Sequence, residues 1–446
     1  MIAPRRLVVA GCATLDSGLD APVDIHVVDG VIEAIVPTGS RTVPPGAARI
    51  DAGGLVAVPG LINAHTHSPM VLMRGAAEDV GSDAWFNERI WPMEAGITAE
   101  HVLAGTRLAC AEMLLGGVTA FADHYFHAPQ IAQAARELGI RADVAPTFFS
   151  EPGGVGREAA LDDTRAIAAT ADGLVRASVG PHAVGTVDDD DLAIAAALAG
   201  ELGIRIHLHA SESVEQTRHV QATRGGRSPI RVLEDAGVLE RGALIAHGCG
   251  ILPEDADLLA ARADRIAVAS CPKGYFKQLV DPMTPGPLLL GIGVPVAIGS
   301  DGAASGNTLD VWESARLTAL AQKRQAGDAG VWPIRTALDA IWTGGAAALG
   351  RPELGRIAPG AAADLALVDV SGPHCRPIHD LGAVLLYSVR AADVRTVLVD
   401  GRVVVQDGAL RTADLGELIA HVERLAAGLD GPDRRGGRVT SALYRG

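Results

Sequence analysis

Short apolar runs alternate with amphipathic stretches through the middle of the chain. From about residue 55 to about residue 350, each run is rich in Val, Ile and Ala, ends near a polar residue, and is followed by a stretch with helical spacing of apolar positions. This alternation predicts parallel strands connected by helices. The candidate strands lie at residues 55–58, 117–122, 141–146, 175–179, 205–209, 243–246, 266–269 and 295–298. Eight such units predict an α/β fold, a closed (β/α)8 barrel of the TIM type.

The two ends of the chain have a different pattern, of short segments joined by Gly, Asp and Pro turns. These segments lie at residues 6–10, 24–28, 31–36, 364–369 and 394–405. The Asp-Gly pair that ends at Gly401 is a hairpin signal. We therefore expect one small β-sandwich domain built from both termini. The expected boundaries are residues 1–57 and 355–446 for the sandwich and residues 58–354 for the barrel.

Composition and charge exclude several classes of protein. The 446 residues are 48% hydrophobic and 20% charged, which is typical of a globular protein, and no apolar stretch is long enough to span a membrane. A net charge of −15 argues against sequence-independent nucleic-acid binding, which needs a basic face. The apolar run at the start of the chain is too short for a signal-peptide core, so we interpret it as a strand and expect a cytoplasmic protein.

The cysteines and one acidic run are expected to be structural. The five cysteines are scattered and include no Cys-x-x-Cys pair, so we interpret them as buried thiols rather than as disulfides or zinc ligands. The acidic run at residues 188–191 is typical of a helix cap and a solvated face.

Two histidines stand two residues apart near the first predicted barrel strand. His65 and His67 lie in the segment PGLINAHTH, and the period of two in an extended chain points both imidazoles to one side. A His-x-His pair of this kind is a candidate for metal binding. Like most of the other polar candidates, the pair falls at the carboxyl end of a predicted strand, where a barrel builds its active site.

Later strands supply a third imidazole and a carboxylate. His209 ends the strand IRIHLH, and Asp301 follows the apolar run VPVAIGS. Together with His65 and His67, these residues form a four-ligand set that suits a divalent transition metal such as zinc.

His207 competes with His209, because both lie on the same face of one predicted strand. Glu212 stands three residues after His209, and this spacing favours His209 as the ligand. We therefore interpret His207 as a barrel-interior histidine behind the metal ligands.

Further histidines end other predicted strands. His182 in VGPHAVG and His247 in GALIAHG are expected to belong to the active site. His124 and His127 in ADHYFH are additional candidates for the pocket.

Such a site favours hydrolysis. A bound metal lowers the pKa of its water to about 7 and so supplies hydroxide at neutral pH. Glu212 is then expected to carry the water's proton to a ring nitrogen of the substrate. Asp301 is expected to accept the remaining proton, and His247 to steady the new oxyanion. The predicted reaction is addition–elimination at a carbon that bears nitrogen or halogen.

The lysine content bears on the number of metals. Binuclear barrel hydrolases commonly bridge their two metals with a carbamylated lysine from a middle strand. This chain has only three lysines, and none precedes Lys273. We therefore predict one divalent metal per chain.

In these motifs the chain resembles the amidohydrolase superfamily. Within it, the likeness is to the cytosine deaminase-like and chlorohydrolase-like group, which contains methylthioadenosine/S-adenosylhomocysteine deaminases and triazine hydrolases. It rests on PGLINAHTH, MRGAAED, Trp85, WPME, GPHA, HASE, AHG, the Cys-Pro pair at residues 271–272, and GSDGAASGNTLDVWESARLTALAQK. The closing GAAADLALVD and VDGRVV are similar to the family's C-terminal sandwich strands, so the likeness spans nearly the whole chain.

The resemblance implies a mononuclear zinc or iron site and the deamination of an aminated N-heterocycle with release of ammonia. Zinc is our first choice and iron the alternative. The implied ligands are His65, His67, His209 and Asp301, with Glu212 as proton shuttle and His247 beside the attacking water. Relatives of this kind often form homodimers or higher homo-oligomers.

Several departures from the nucleoside-deaminating branch bear on the substrate. That branch has a Glu before the tryptophan to hold ribose hydroxyls, whereas here Ala84 precedes Trp85 and the nearest acid is Asp83. Pro146 stands where the branch has a third-strand arginine, and residues 273–275 read Lys-Gly-Tyr where it has a Ser-Asn pair after the Cys-Pro motif.

These departures shape the expected pocket and substrate. The expected substrate contacts are Trp85, Asp83, His182 and Arg157, with Arg157 as the cationic contact. We expect a metal-dependent aminohydrolase that acts on a purine-like or related N-heterocycle: a nucleoside, a free base, a pterin or a triazine. The alternatives are removal of halogen or an alkylamino group from an s-triazine-like ring, and hydrolysis of a cyclic amide. A purely structural role is disfavoured because every expected metal ligand is present.

Overall fold

The chain begins in a β-rich layer, as the terminal pattern predicts. The computed structural model describes residues 5–150 and 156–429. Five strands precede the barrel: β1 (Arg6–Thr14), β2 (Gly18–Val28), β3 (Val31–Pro37), β4 (Ala48–Asp51) and β5 (Leu55–Pro59). Strand β1 pairs antiparallel with β2 and parallel with β4 and β5, and β2 pairs antiparallel with β3. The three N-terminal segments predicted to be extended are therefore confirmed as strands.

The middle of the chain forms the barrel. Its strands are β6 (Leu61–Thr66), β7 (Val118–Tyr125), β8 (Arg141–Phe148), β9 (Val175–Ala177), β10 (Gly180–Pro181), β11 (Ile206–Ala210), β12 (Ala243–His247), β13 (Ala267–Ser270) and β14 (Val296–Ile298). The strands β6 to β10 form one parallel group, and β11 to β14 form another. A bridge between Val179 and Ile206 joins the two groups on one side. On the other side, the Asp301 N–H donates to the His65 carbonyl at 3.1 Å, which brings β14 against β6.

The first predicted barrel strand is wrong. Residues 55–58 lie in β5, which pairs with β1 and with a C-terminal strand, and the barrel starts at Leu61. Gly60 separates the two strands, and a Cβ there would lie only 2.1 Å from the Thr119 hydroxyl. Both segments are buried, so their hydrophobicity does not distinguish the two sheets.

The C-terminal strands complete the β-rich layer. They are β15 (Leu365–Asp369), β16 (Val394–Val399), β17 (Arg402–Gln406) and β18 (Ala409–Leu410). With the five N-terminal strands they form one nine-stranded sheet, in which β15 pairs with β5. The sheet bends back on itself, since the Ile32 N–H donates to the Ala361 carbonyl at 2.9 Å. The predicted hairpin is confirmed between β16 and β17, where Asp400 and Gly401 both have positive φ angles of 53° and 64°.

The barrel and the sheet from both termini confirm the predicted fold class. The exact domain boundaries at residues 57 and 354 stay a prediction.

Helices connect the barrel strands and cover the barrel. They are α1 (Ser82–Ala84), α2 (Trp91–Glu94), α3 (Ala99–Leu115), α4 (Ala128–Leu138), α5 (Arg157–Ala169), α6 (Asp189–Leu202), α7 (Val214–Thr223), α8 (Pro229–Asp235), α9 (Val238–Arg241), α10 (Ala256–Ala260), α11 (Pro272–Gln278), α12 (Gly286–Gly291), α13 (Ala303–Gly306), α14 (Val311–Ala326), α15 (Ile334–Ile341), α16 (Thr343–Ala348), α17 (Leu381–Tyr387) and α18 (Leu415–Ala426). The acidic run caps α6 as predicted, because Asp188 Oδ1 accepts from the Asp191 N–H at 2.8 Å. None of the helices in the described ranges is long and apolar enough to cross a membrane. All five cysteines are buried and unpaired.

Candidate active site

Three imidazoles and one carboxylate meet at the carboxyl ends of β6, β11 and β14. The ring centroids of His65, His67 and His209 lie between 4.8 and 5.3 Å apart. Asp301 Oδ1 lies 3.3 Å from His67 Nε2 and 3.7 Å from His65 Nε2. The structure thus brings together the four residues that the sequence predicts as metal ligands.

The three imidazoles are oriented by hydrogen bonds at their other ring nitrogen. His65 Nδ1 lies 2.8 Å from His207 Nε2, His67 Nδ1 donates to the His124 carbonyl at 2.6 Å, and His209 Nδ1 donates to the His182 carbonyl at 2.8 Å. Partners of this kind set the tautomer of metal-binding histidines and direct Nε2 toward the metal.

The donor set fits a divalent metal. His65 Nε2 is fully buried and has no hydrogen-bond partner, although a buried polar atom normally has one. Groups of potential ligand atoms from His65, His67 and His209, and from His65, His247 and Asp301, each lie within 4.8 Å of one another. Nitrogen donors with one carboxylate are a set that zinc and iron both accept.

Burial and local charge decide the protonation of these ligands. Burial lowers the pKa of His65 and of His209 well below the ordinary value, so both are neutral, as a metal requires. Burial also acts to lower the pKa of His67, but the hydrogen bond and charge of Asp301 outweigh it and raise this pKa to about 9. A metal and a proton therefore compete for His67 Nε2.

The strand ends that carry the site have unusual backbone geometry. Asp301 has φ 61° and His247 has φ 73°, both in the left-handed region that side chains other than glycine seldom adopt. Asp301 is held there because its Oδ1 accepts from the Gly302 N–H at 2.9 Å and its Oδ2 accepts from the Ser305 hydroxyl at 2.7 Å. Strain of this kind concentrates at functional sites.

A cavity of about 520 Å³ opens above the cluster, and Glu212 and His247 line it. The His247 ring stacks on His209 at 5.4 Å, and its Nδ1 lies 3.2 Å from the Tyr275 hydroxyl. Glu212 faces the cavity beside Gln216, whose side-chain amide donates to Glu212 Oε1 at 2.5 Å. Glu212 and His247 thus line the same cavity as His67, His209 and Asp301.

Three of the four predicted substrate contacts line the cavity, namely Trp85, Asp83 and His182. The predicted substrate contact of Arg157 is corrected, because Arg157 is not among the described residues that line the cavity. Its guanidinium pairs with Asp191 and with Glu158, and these two carboxylates already satisfy its charge.

The structure distinguishes the positions of His124, His127 and His207. His124 lines the cavity, while His207 is buried behind His65 as expected. His127 is exposed at the start of α4 and lies outside the described cavity lining.

The sequence reasoning missed three acidic residues of the cavity, namely Glu94, Glu215 and Asp281, of which only Glu94 is buried. Glu94 ends α2, is only 8% exposed, and accepts a hydrogen bond from the Tyr125 hydroxyl at 2.7 Å. Burial raises its pKa to about 7, against the opposing effect of Tyr125. The available signal was the acid at the end of the segment WPME, nine residues after Trp85.

Comparison with known proteins identifies the family. The model of the amidohydrolase family matches residues 56–404. The chain belongs to the amidohydrolase family. A 5-methylthioadenosine/S-adenosylhomocysteine deaminase of Natronomonas pharaonis is 40% identical over 393 residues, covering 86% of this chain and 89% of that protein. The protein of the same name in Pelotomaculum thermopropionicum is 37% identical over 410 residues, covering 90% and 93%.

Solved structures agree with this assignment. A zinc-bound adenosine deaminase from Xanthomonas campestris superposes with a TM-score of 0.89 at 30% identity, covering 95% of this chain and 98% of the other. The zinc complex of atrazine chlorohydrolase TrzN from Arthrobacter aurescens has a TM-score of 0.85 at 23% identity, covering 94% and 100%, and shows the shared fold.

Family membership makes this amidohydrolase a hydrolase of carbon–nitrogen bonds other than peptide bonds, as the sequence predicts, and its curated relatives are deaminases by name. Its histidine-rich cluster offers ligand atoms that suit a divalent metal.

Proposed function

We propose that this amidohydrolase is a zinc-dependent deaminase of adenosine-like nucleosides. One water is consumed, the exocyclic amino group leaves as ammonia, and the ring carbon keeps the oxygen. The observation that carries the proposal is the position of Glu212 and His247 in the cavity beside His67, His209 and Asp301. The names of the relatives supply the substrate class.

The proposed zinc ligands are His65, His67, His209 and Asp301. When bound there, zinc lowers the pKa of water to about 7 and so supplies hydroxide at neutral pH. We propose one metal per chain, because a carbamylated lysine bridge has no candidate: the first lysines, Lys273 and Lys277, lie on α11, where they pair with Glu313 and Glu78.

The proton transfers fall to residues that face the cavity. Glu212 passes a proton to the ring nitrogen next to the amino-bearing carbon, which makes that carbon electrophilic. Asp301 accepts the second proton, which leaves with the amino group as ammonia. His247, held by Tyr275, donates a hydrogen bond to the oxygen that forms on the carbon.

Glu94 is our candidate for holding the ribose. An ionised carboxylate accepts hydrogen bonds from two neighbouring hydroxyls, and Glu94 is fixed by Tyr125 on the cavity wall. Glu94 thus provides a carboxylate for the ribose hydroxyls, although Ala84 stands where the nucleoside-deaminating branch has its Glu. Trp85 and His182 provide ring surfaces for the base, and His182 itself stacks on Phe149 at 4.2 Å.

Ammonia release from purified, zinc-loaded protein tests the proposal. The panel comprises adenosine, 5′-methylthioadenosine, S-adenosylhomocysteine, guanine, 8-oxoguanine, cytosine, a pterin and aminotriazines, with chloride measured from a chlorotriazine. We expect release from adenosine derivatives and one zinc per chain by metal analysis. The His209→Asn variant serves as control, because it removes one ligand and is expected to lose both zinc and activity.

Two results would reject parts of the proposal. Chloride release without ammonia would favour the triazine hydrolase alternative, and two metal equivalents per chain would exclude the mononuclear site. Homo-oligomerisation stays a prediction that chromatography of the same preparation tests.

A further inference from the structure

The cavity has an unusual balance of charge. Its lining includes six carboxylates: Asp83, Glu94, Glu212, Glu215, Asp281 and Asp301. Within the described part of the chain, no lysine or arginine lines it. A divalent metal balances Glu212 and Asp301, which serve the proposed chemistry, but it leaves the other acids without a counter-charge.

The two lysines of helix α11 do not face the cavity, although other residues of this helix do. Gly274, Tyr275 and Gln278 of α11 line the cavity, but the two lysines of the same helix do not. Lys273 Nζ lies 2.6 Å from a Glu313 carboxylate oxygen, and Lys277 Nζ lies 2.8 Å from one of Glu78. These ion pairs cancel the only positive charges that α11 carries.

Three of the uncompensated acids are exposed to solvent as well as lining the cavity. They are Asp83, Glu215 and Asp281, and none of the three forms an ion pair within the described ranges. A cleft with walls of low dielectric constant focuses the field of such charges on whatever enters. The aromatic side chains of Phe86 and Trp91 form an uncharged part of the cavity wall.

We propose that this cavity selects its substrates by charge. Nucleosides whose 5′ end is neutral or cationic bind, whereas those that end in an anionic group, such as nucleoside 5′-monophosphates, are rejected. Rejection follows because a phosphate brings close to two negative charges against carboxylates that no lysine or arginine of the described lining offsets. The inference rests on the proposed function for its substrate class.

A charge series of adenosine derivatives tests the selection. The substrates are 5′-amino-5′-deoxyadenosine, adenosine and adenosine 5′-monophosphate, assayed for ammonia at low ionic strength. We expect kcat/KM for the monophosphate to fall at least about 100-fold below that for adenosine, and the amino derivative to equal or exceed adenosine. Added salt should narrow both differences, because it screens exposed charges. A monophosphate turned over within about threefold of adenosine would overturn the proposal.

Two double variants, each of which neutralises two acids, test whether the cavity causes the selection by charge. The Glu215→Gln/Asp281→Asn variant should narrow the ratio of adenosine to monophosphate kcat/KM by about tenfold. The Glu240→Gln/Glu254→Gln variant changes the net charge equally at exposed acids outside the described cavity lining, and should leave the ratio unchanged. An equal shift in both variants would assign the effect to the whole protein's charge and contradict the proposal.

A second measurement does not depend on turnover. Of the five tryptophans, Trp85 and Trp91 line the cavity, whereas Trp312, Trp332 and Trp342 are buried. Ionic quenchers therefore report on the cavity when each is normalised to its quenching of free N-acetyltryptophanamide. On this scale we expect caesium to quench the fluorescence more strongly than iodide.

The quenching control separates the two proposals. The preference for caesium should shrink in the Glu215→Gln/Asp281→Asn variant but not in the surface control. Normalised iodide quenching equal to that of caesium would overturn charge selection. A preference for caesium combined with no ammonia from any adenosine derivative would overturn the proposed function alone.

Discussion

The buried acids in and around the active site differ in pKa because their neighbours differ. Burial raises the pKa of Glu94 to about 7 and that of Asp123 to about 6, because it outweighs the hydrogen bonds and charges that favour their ionised forms. Burial acts in the same direction on Asp301, but the hydrogen bond and charge of His67 and the charge of His247 hold its pKa below the usual range. The lowered pKa keeps Asp301 ionised, as its proposed role as a metal ligand requires, while the pKa of Glu94 lies near neutral pH.

The Glu212→Gln substitution tests the proton shuttle. The amide is isosteric but cannot carry a proton, so we expect zinc content to be retained and kcat to fall by about 10²- to 10⁴-fold. Metal analysis and ammonia release measure the two effects. Glu215→Gln is the neighbouring control, with a far smaller loss expected on adenosine. Near-normal kcat in Glu212→Gln would remove this residue from the proposed mechanism.

The Glu94→Gln substitution tests the burial of that carboxyl. The folded protein holds a proton on Glu94 up to about pH 7, whereas the unfolded chain releases it near pH 4.5. The contribution of this group to the free energy of unfolding is therefore fully present below pH 4.5. It is lost as the pH rises from 4.5 to about 7, and the loss is on the order of 3 kcal/mol.

Urea unfolding between pH 5 and pH 8 measures this effect. We expect Glu94→Gln to gain stability relative to the native protein as the pH rises. A stability difference that does not change with pH would contradict the raised pKa of Glu94. An exposed control, Glu240→Gln, should show no such trend.

At the scale of elements, the site depends on how closely strand ends approach. Gly299 follows β14, where a Cβ would lie 2.9 Å from the His65 carbonyl oxygen and 2.7 Å from Cys271 Sγ. Only glycine allows β14 to lie this close to β6, and this approach places Asp301 beside His65 and His67. The left-handed residues at the strand ends then turn the side chains inward.

The Gly299→Ala substitution tests that approach. The added methyl group must push β14 away from β6, so we expect zinc affinity to fall by about 10- to 100-fold, the range seen when a ligand's support is disturbed. Competition with a chelator measures the affinity. Gly291→Ala is the control, because no atom lies within 4 Å of a Cβ there. Unchanged zinc affinity in Gly299→Ala would show that the strands can separate without moving the ligands.

At the scale of the whole molecule, a buried ion pair joins the barrel to the terminal sheet. Arg141 on β8 forms two hydrogen bonds to the Asp364 carboxylate, at 2.7 and 2.9 Å, and both side chains are at most 4% exposed. Asp364 Oδ1 also accepts from the Asp400 N–H at 2.9 Å, in the turn of the β16–β17 hairpin. One carboxylate thus ties a barrel strand to two parts of the C-terminal sheet.

The Arg141→Met substitution tests this connection. It leaves the Asp364 charge buried without its partner, so we expect a loss of about 3 to 5 kcal/mol in unfolding free energy. Urea denaturation of the zinc-loaded protein measures the loss. The exposed pair of Arg165 with Asp162 provides the control, and Arg165→Met should change stability by less than about 1 kcal/mol. Equal effects in both variants would show that the buried pair does not hold the domains together.

The local sequence pattern was sufficient to predict much of this structure. Alternation of apolar runs with helical spacing predicted the barrel, because each strand and helix must bury its own apolar face. The period of two placed His65 and His67 on one side of a strand, and the position of His209 and Asp301 after apolar runs placed them at the same end of the barrel. The Asp-Gly turn and the capping acid are likewise local, and both are found where they were predicted.

Contacts between distant residues decided the rest. Whether residues 55–58 join the barrel or the terminal sheet depends on the partners they meet, since both sheets bury apolar strands. Arg157 has the charge expected of a substrate contact, but Asp191, 34 positions away, holds its side chain outside the described cavity lining. Glu94 is on the cavity wall because Tyr125 of another element fixes it there. The sequence by itself determined the repeating units and the residues able to bind a metal, because those follow from spacing along the chain. Only the tertiary structure decided which strand edges pair and which side chains face the cavity, because those depend on packing between residues far apart in sequence.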